Sequence, residues 1–500
     1  IIINNIEEYK SSLINENIEI DQEIRKDKIK KDLIKIFQKN DFDNSIDKNT
    51  LEEVTNMAES PHLFLGKFPE KYLDLPKEVL AYVVQDTQKY FLIFKKNKMT
   101  NFFVGSSNVK INENIIKGNE RVVIPRLDDA KFFIDKDLKN DIFSKKSMLK
   151  KVIFHKKLGS MFDKVDRIIK LSIYINSISY NDKKLLVREI AEICKLDLIS
   201  SMVVEIPKLQ GVIGQHYAEK SNKNKIISEG IKDHYLPKNP EDSVPGSKDA
   251  QLVSMADKLD TVVGIFLVNE KPTGTRDPLG IRRATNGFLR IILQIEYNLS
   301  LTELIDNSAK IIYENTSYFN KQVKQDGGLE DCHQFFKDKL ILTLKDSLGF
   351  QENIILAVIN NEKNIIPYDL LKKIEAVKII INNPSYKDLF SNAKRISNIL
   401  KKSDVQVSSE INENLLRESS EKMLYNAINN LKKELELSLN QKKYEVYLKT
   451  LNELNDFITA FFAEVMINTE EEEIKLNRLS ILSTINNYYN KVANFTVLAF

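Results

Sequence analysis

From about residue 140 to its end the chain places apolar residues at helical spacing, and only loop punctuation interrupts the pattern. A chain written this way buries its apolar stripes helix against helix. The punctuation falls at Pro237-Lys238-Asn239-Pro240, Pro245-Gly246, Gly327-Gly328 and Asn382-Asn383-Pro384, the last a predicted domain boundary. Beyond it, Leu415–Leu437 and Tyr444–Met466 read as amphipathic helices, and Glu470–Glu473 as a solvated loop. Residues 19–40 predict a charged helix carrying Ile20, Ile24, Ile29, Leu33 and Ile36. Residues 60–135 differ: short β-prone runs at Val79–Val84, Tyr90–Phe94 and Phe102–Val104 alternate with turn segments. The fold class is therefore mainly α with an N-terminal α+β domain, and 500 residues suggest roughly three domains.

Charge and motifs narrow the function. The formal charge is +3, from 74 basic and 71 acidic residues, which excludes a histone-like polycation but leaves room for local basic faces. Cys194 and Cys332 form no CxxC pair, so they read as buried thiols of a reducing cytosol rather than a zinc site or disulfide framework. No apolar run approaches the roughly 20 residues that span a bilayer. Ile1 is not a start methionine and no signal peptide is legible, so the chain reads as beginning after a missing N-terminal part. No GxG, no GK[ST] after a glycine-rich turn, no GxSxG and no HExxH occurs. A chain of this size without a nucleotide cradle is expected to bind something large rather than to activate ATP itself.

Three constellations carry candidate chemistry. The first is His155, Lys195, Asp197, His216, His234, Asp257 and Asp260. Asp257 and Asp260 are three apart and share a helix face. His155, Asp197 and Asp257 would suit a metal-dependent phosphohydrolase, in which imidazole and carboxylate ligands hold a cation that acidifies water. No His-Asp dipeptide occurs, however, and Lys195 places an ammonium where the cation should sit, so the expectation is a degenerate site without metal. The second is Pro272 to Ala284, with Arg276, Arg282 and Arg283, and Arg290 beyond; Pro278 suits a first helical turn. Arginines near a helix start suit phosphate, or else pair with Asp257, Asp260 and Asp277 in the core. The third is basic: Lys139, Lys145, Lys146, Lys150, Lys151, Lys156 and Lys157, and again Lys387, Lys394, Arg395, Lys401 and Lys402. Two such clusters suit a partner with a long phosphate backbone.

Ordered stretches along the whole chain resemble the beta subunit of the bacterial, tetrameric glycyl-tRNA synthetase. They include GNERVVIPRLDDAKFFIDKD at 118–137, HKKLGSMFDKVDRI at 155–168, CKLDLISSMVVEIPKLQGVIGQHYA at 194–218, ADKLDTVVGIF at 256–266, PTGTRDPLGIRRA at 272–284, FFAEVMI at 461–467 and NRLSIL at 477–482. The resemblance implies a domain similar to the B3/B4 region of the phenylalanyl enzyme's beta subunit over 1–140. It implies an HD-like helical domain over 141–300, a helical connection over 301–385 and, over 386–500, an anticodon-binding domain similar to that of arginyl-tRNA synthetase. It also implies an alpha-subunit partner in an alpha2beta2 tetramer, tRNA(Gly) as ligand and a cytoplasmic location. ATP and magnesium would be used by the holoenzyme, with no cofactor and no catalytic residue on this chain. Expected tRNA contacts are Lys150, Lys151, Lys195, Arg276, Arg282 and Arg283 toward the acceptor arm. Lys394, Arg395, Arg478 and Lys491 would face the anticodon, with Tyr488 as a stacking platform and Phe461 and Phe462 in the core.

Overall fold

The computed structural model describes residues 3, 5–274, 276–277, 279–296, 298–319, 327–403 and 410–498. The chain divides into two compact units, residues 1–153, 160–162 and 192–232, and residues 154–159, 163–191 and 233–500. Thr275 and Pro278 lie outside the described residues.

The first unit is built on a three-stranded antiparallel sheet, β1 (His62–Lys67), β2 (Phe91–Lys95) and β3 (Lys98–Ser107), in the order β1-β3-β2. Strand side chains alternate between two cores, as the two-residue period requires. Phe91, Ile93 and Val104 face Ile29, Leu33, Phe37, Leu51 and Val54 from the helices Gln22–Asn40 and Lys48–Met57. Phe64, Leu92 and Phe103 face the other way, onto Val123, Leu127 and Ile134 of the long helix Glu113–Lys139. Glycine is required at two cross-strand positions. A Cβ at Gly105 would lie 2.3 Å from the Phe64 ring opposite it, and one at Gly66 would lie 2.6 Å from the Phe103 ring. Each bare backbone is roofed by its partner's ring, a pairing that also pins the register.

The run Val79–Val84 is helical, not a strand: Lys77–Leu80 is α and Ala81–Asp86 continues as a π turn. Pro76 precedes the helix, and Val79, Leu80, Val83 and Val84 fall on one buried face, so packing overrides β-branched propensity. The predicted strand positions in Tyr90–Phe94 and Phe102–Val104 fall within or beside β2 and β3.

The second unit is helical, organised around the helix Lys248–Leu267, of whose 20 residues 17 are buried. Helices Ile281–Ile292, Leu301–Asn315 and Gly327–Leu342 pack against it. A helix hydrophobic on all sides has to sit at a centre. Further on, Lys387–Lys402 packs against Asn455–Glu464 and Glu472–Asn490, and Ser419–Asn440 against Tyr444–Asn452 and Asn455–Glu464. Three sequence expectations are corrected here. Gly327-Gly328 opens a helix; Tyr444–Met466 is two helices that break at Glu453-Leu454; and Glu472 and Glu473 form a first helical turn, where the dipole favours carboxylates. Among the described residues no helix is long and apolar enough to cross a membrane.

Candidate nucleic-acid interface

The arginine-bearing junction opens with a tight turn. The Arg276 amide donates to the Thr273 carbonyl at 2.8 Å, and the Thr273 amide donates back to the Arg276 carbonyl at 3.3 Å. Gly280, at φ 65°, then caps the helix Ile281–Ile292. The Asp277 carboxylate accepts from the backbone N–H groups of Ile281 and Arg282 at 2.6 and 3.0 Å. This corrects the view of the helix start as an open anion seat: Asp277 already satisfies its first donors. The helix also begins later than Pro278 suggests. Arg282 is half-buried and its guanidinium donates to the Gly274 carbonyl at 2.8 Å, holding the turn. Arg276 and Arg283 are exposed. Arg290 turns inward and donates to the carbonyls of Asn239 and Asp242.

None of these arginines is the core partner of Asp257 or Asp260. That role belongs to the helix Met161–Ile178. Arg167 grips Asp260 in a fork at 2.6 and 3.1 Å, and Lys164 reaches Asp257 at 2.9 Å and Asp260 at 3.1 Å. Burial alone would raise the Asp260 carboxyl, but Arg167 and Lys164 outweigh it and hold the group below its ordinary range. The signal was present in the sequence: Lys164 and Arg167 are three apart, the same spacing as the two aspartates.

The degenerate-metal candidates are likewise engaged. His155 Nε2 lies 3.0 Å from Glu270, which also pairs with Lys157 at 3.0 Å. Asp197, in the first unit, is fully enclosed and accepts from the Gly211 N–H; burial pushes its carboxyl up to about 6. A Cβ at Gly214 would lie 2.6 Å from Ile231 Cγ2 and 3.1 Å from this carboxylate, so a larger residue there would force both neighbours to shift. His234 is buried, and burial lowers the His216 imidazole below its ordinary value. Among the described residues no group of three His, Cys, Asp or Glu side chains is arranged to hold a metal. An ammonium 2.9 Å from Asp257 is itself unfavourable to a cation there.

The lysine and C-terminal candidates separate by exposure. Lys150 and Lys151 are exposed, and Lys150 stands 4.9 Å above the Phe162 ring. Lys195 is only 4% exposed, which removes it from any surface that RNA could reach. Lys394 and Arg395 are exposed on Lys387–Lys402, with the Arg395 guanidinium 3.9 Å from the centre of the half-buried Phe462 ring. Phe461 lies in the core. Lys491 is exposed and Tyr488 half-buried, its carbonyl accepting from the Tyr447 hydroxyl. Arg478 is corrected to a structural role: 8% exposed, it pairs with buried Glu421 and donates to the Met466 carbonyl at 2.7 Å.

Each unit presents exposed cations, and in the second Arg395 stands 3.9 Å over an aromatic ring, features suited to a nucleic acid; comparison with known proteins gives them a context. Residues 1–360 match the family model described as glycyl-tRNA synthetase beta subunit. The chain belongs to that family. Residues 389–493, which carry Lys394, Arg395 and Phe462, match the DALR anticodon binding domain. The chain is 35% identical over 458 residues to a glycine–tRNA ligase beta subunit from Methylobacillus flagellatus, covering 91% of this chain and 63% of that protein. It is 34% identical to the corresponding protein of Rickettsia peacockii, covering 99% and 72%, and 36% identical to that of Buchnera aphidicola, covering 100% and 72%. The chain thus spans between 63% and 72% of the length of these relatives.

Proposed function

We propose that this chain is the tRNA-binding beta subunit of a glycine–tRNA ligase, recognising tRNA(Gly) so that an alpha subunit can attach glycine with ATP and magnesium. The carrying observation is that the segment similar to anticodon-binding domains presents Lys394 and Arg395 side by side, with the Arg395 guanidinium 3.9 Å over the Phe462 ring. A guanidinium fixed on a ring offers both a phosphate fork and a stacking face, the two features by which unpaired loop bases are bound. Lys491 and Tyr488 extend this reading. Lys150, Lys151, Arg276 and Arg283 are proposed to meet the acceptor arm, and Arg282 to hold the turn that presents two of them.

Within the same proposal, residues 1–140 correspond to the B3/B4-like domain, 141–300 to the HD-like domain, 301–385 to a connection and 386–500 to the anticodon-binding domain. The assembly is an alpha2beta2 tetramer in the cytoplasm, with adenylate chemistry on the alpha subunit. A metal phosphohydrolase is disfavoured because Lys164 and Arg167 already neutralise Asp257 and Asp260. Filter binding tests the proposal. The chain should hold tRNA(Gly) more tightly than a non-cognate tRNA, and Arg395→Ala should weaken cognate binding by about tenfold, the scale of one charge-assisted stacked contact. Equal affinity for both tRNAs, unaltered by the substitution, would overturn it.

A further inference from the structure

The second unit contains a cleft of about 570 Å³ that shares only Arg283 with the nucleic-acid contacts named above. Its volume lies within the roughly 300–1,000 Å³ typical of small-molecule sites. One wall is the loop Pro237–Pro240, the second is the face of Ile281–Ile292 carrying Arg283, Asn286 and Gly287, and the third is Lys339 to Leu348. Four cationic side chains, Lys238, Arg283, Arg290 and Lys339, line it against one carboxylate, Asp346. Arg283 and Lys339 make no ion pair among the described residues. Between the cations lie leucines that a helical protein would ordinarily cover: Leu342 and Leu348 are each 44% exposed, and Leu293 and Leu371 adjoin the same space.

Two of the walls, loop and helix, are tied to each other. Arg290 ties down the carbonyls of Asn239 and Asp242, and the Asp242 carboxylate accepts from the amides of Lys238 and Asn239 at 2.7 and 2.9 Å. Buried Lys258 donates to the Leu236 carbonyl at 2.8 Å. At Gly287 a Cβ would lie 2.9 Å from the Pro237 carbonyl oxygen, so only glycine lets the loop rest on the helix. Loop and helix therefore form two preorganised walls.

We propose that this cleft binds one nucleotide unit, a phosphate joined to a ribose and base. Arg283 and Lys339 take the phosphate, with the guanidinium fork matching two of its oxygens. The exposed leucines take a face of the base, and the side-chain amides of Asn286 and Gln294 offer both donors and acceptors to its edge. An apolar floor between cations distinguishes this ligand from a bare anion. The inference rests on the reading of the chain as an RNA binder; the nucleotide is either unpaired within RNA or free in solution.

Photo-cross-linking of the full chain separates the cases. The probes are a single-stranded tetranucleotide carrying thiouridine, and thiouridine monophosphate alone. The cleft assignment expects label in the peptides containing residues 283–294 or 339–348, displaced by excess AMP but not by equal inorganic phosphate. It expects about tenfold lower yield in Arg283→Ala and Lys339→Ala, and a smaller loss in Asn286→Ala, which changes no charge. Labelling by the tetranucleotide alone assigns the site to RNA; equal labelling by the monophosphate assigns it to a free nucleotide. Absence of label from these peptides while tRNA still binds would overturn the cleft and spare the functional reading. Displacement by phosphate as effectively as by AMP would overturn the nucleotide assignment. Loss of all tRNA binding by the unsubstituted chain would sink the functional reading instead.

Discussion

Buried charges set the residue-scale energetics. Asp260, Arg167, Lys164 and Asp257 form one buried network linked by ion pairs. Replacing one partner strands a charge in the core, so Asp260→Asn is expected to destabilise the second unit by about 3–5 kcal/mol. A urea midpoint unchanged from wild type would contradict that. Asp197 behaves in the opposite sense. Its carboxyl is raised to about 6 when folded and returns to about 3.9 when unfolded. Its neutral form is therefore favoured by folding, and this contribution is complete below about pH 4 and lost as pH rises through about 6. The loss amounts to about 3 kcal/mol. Asp197→Asn should remove it: between pH 4 and pH 6 the difference in urea midpoint between variant and wild type should shift in the variant's favour. A parallel pH dependence in both proteins would show that Asp197 is ionised throughout. The sequence made both aspartates visible as candidates, but not their fates. Spacing identifies a shared helix face, whereas the partner comes from the packing of another helix, which is why Lys195 and Arg478, expected at the surface, lie buried.

At the scale of elements, period and punctuation were legible and local overrides were not. The charged helix near residue 20 and the strands β2 and β3 follow their hydrophobic period. Val79–Val84 does not, because four of its residues meet one core face only when helical. The β2–β3 hairpin shows a compensated weakness. Lys96 and Asn97 both adopt left-handed backbone, at φ 52° and 59°, and the Asp43 carboxylate accepts from both amides at 2.9 and 2.7 Å. A mirror-image turn favours Asn-Gly, and a lysine there costs about 1 kcal/mol. Lys96→Asn with Asn97→Gly is thus expected to stabilise the first unit by about 1 kcal/mol, read as a raised urea midpoint. A lowered midpoint would mean that Lys96 contributes a contact stronger than the backbone strain.

At the scale of the whole molecule, the proposed role is that of a mainly helical chain presenting cations to a polyanion, its sequence holding none of the common nucleotide-binding motifs. Family membership was legible because long ordered stretches recur, from Gly118–Asp137 to Asn477–Leu482. Which cations are available was not, since exposure depends on tertiary packing. Arg395 over Phe462 and the Arg283–Lys339 cleft emerge only from the folded chain. Direct binding of tRNA(Gly) to the purified chain across a salt series tests the central claim. With about six phosphates engaged, affinity should fall roughly a thousandfold between about 50 and 200 mM salt, along a straight line of log K against log salt. Affinity indifferent to salt, or no binding in dilute buffer, would contradict it.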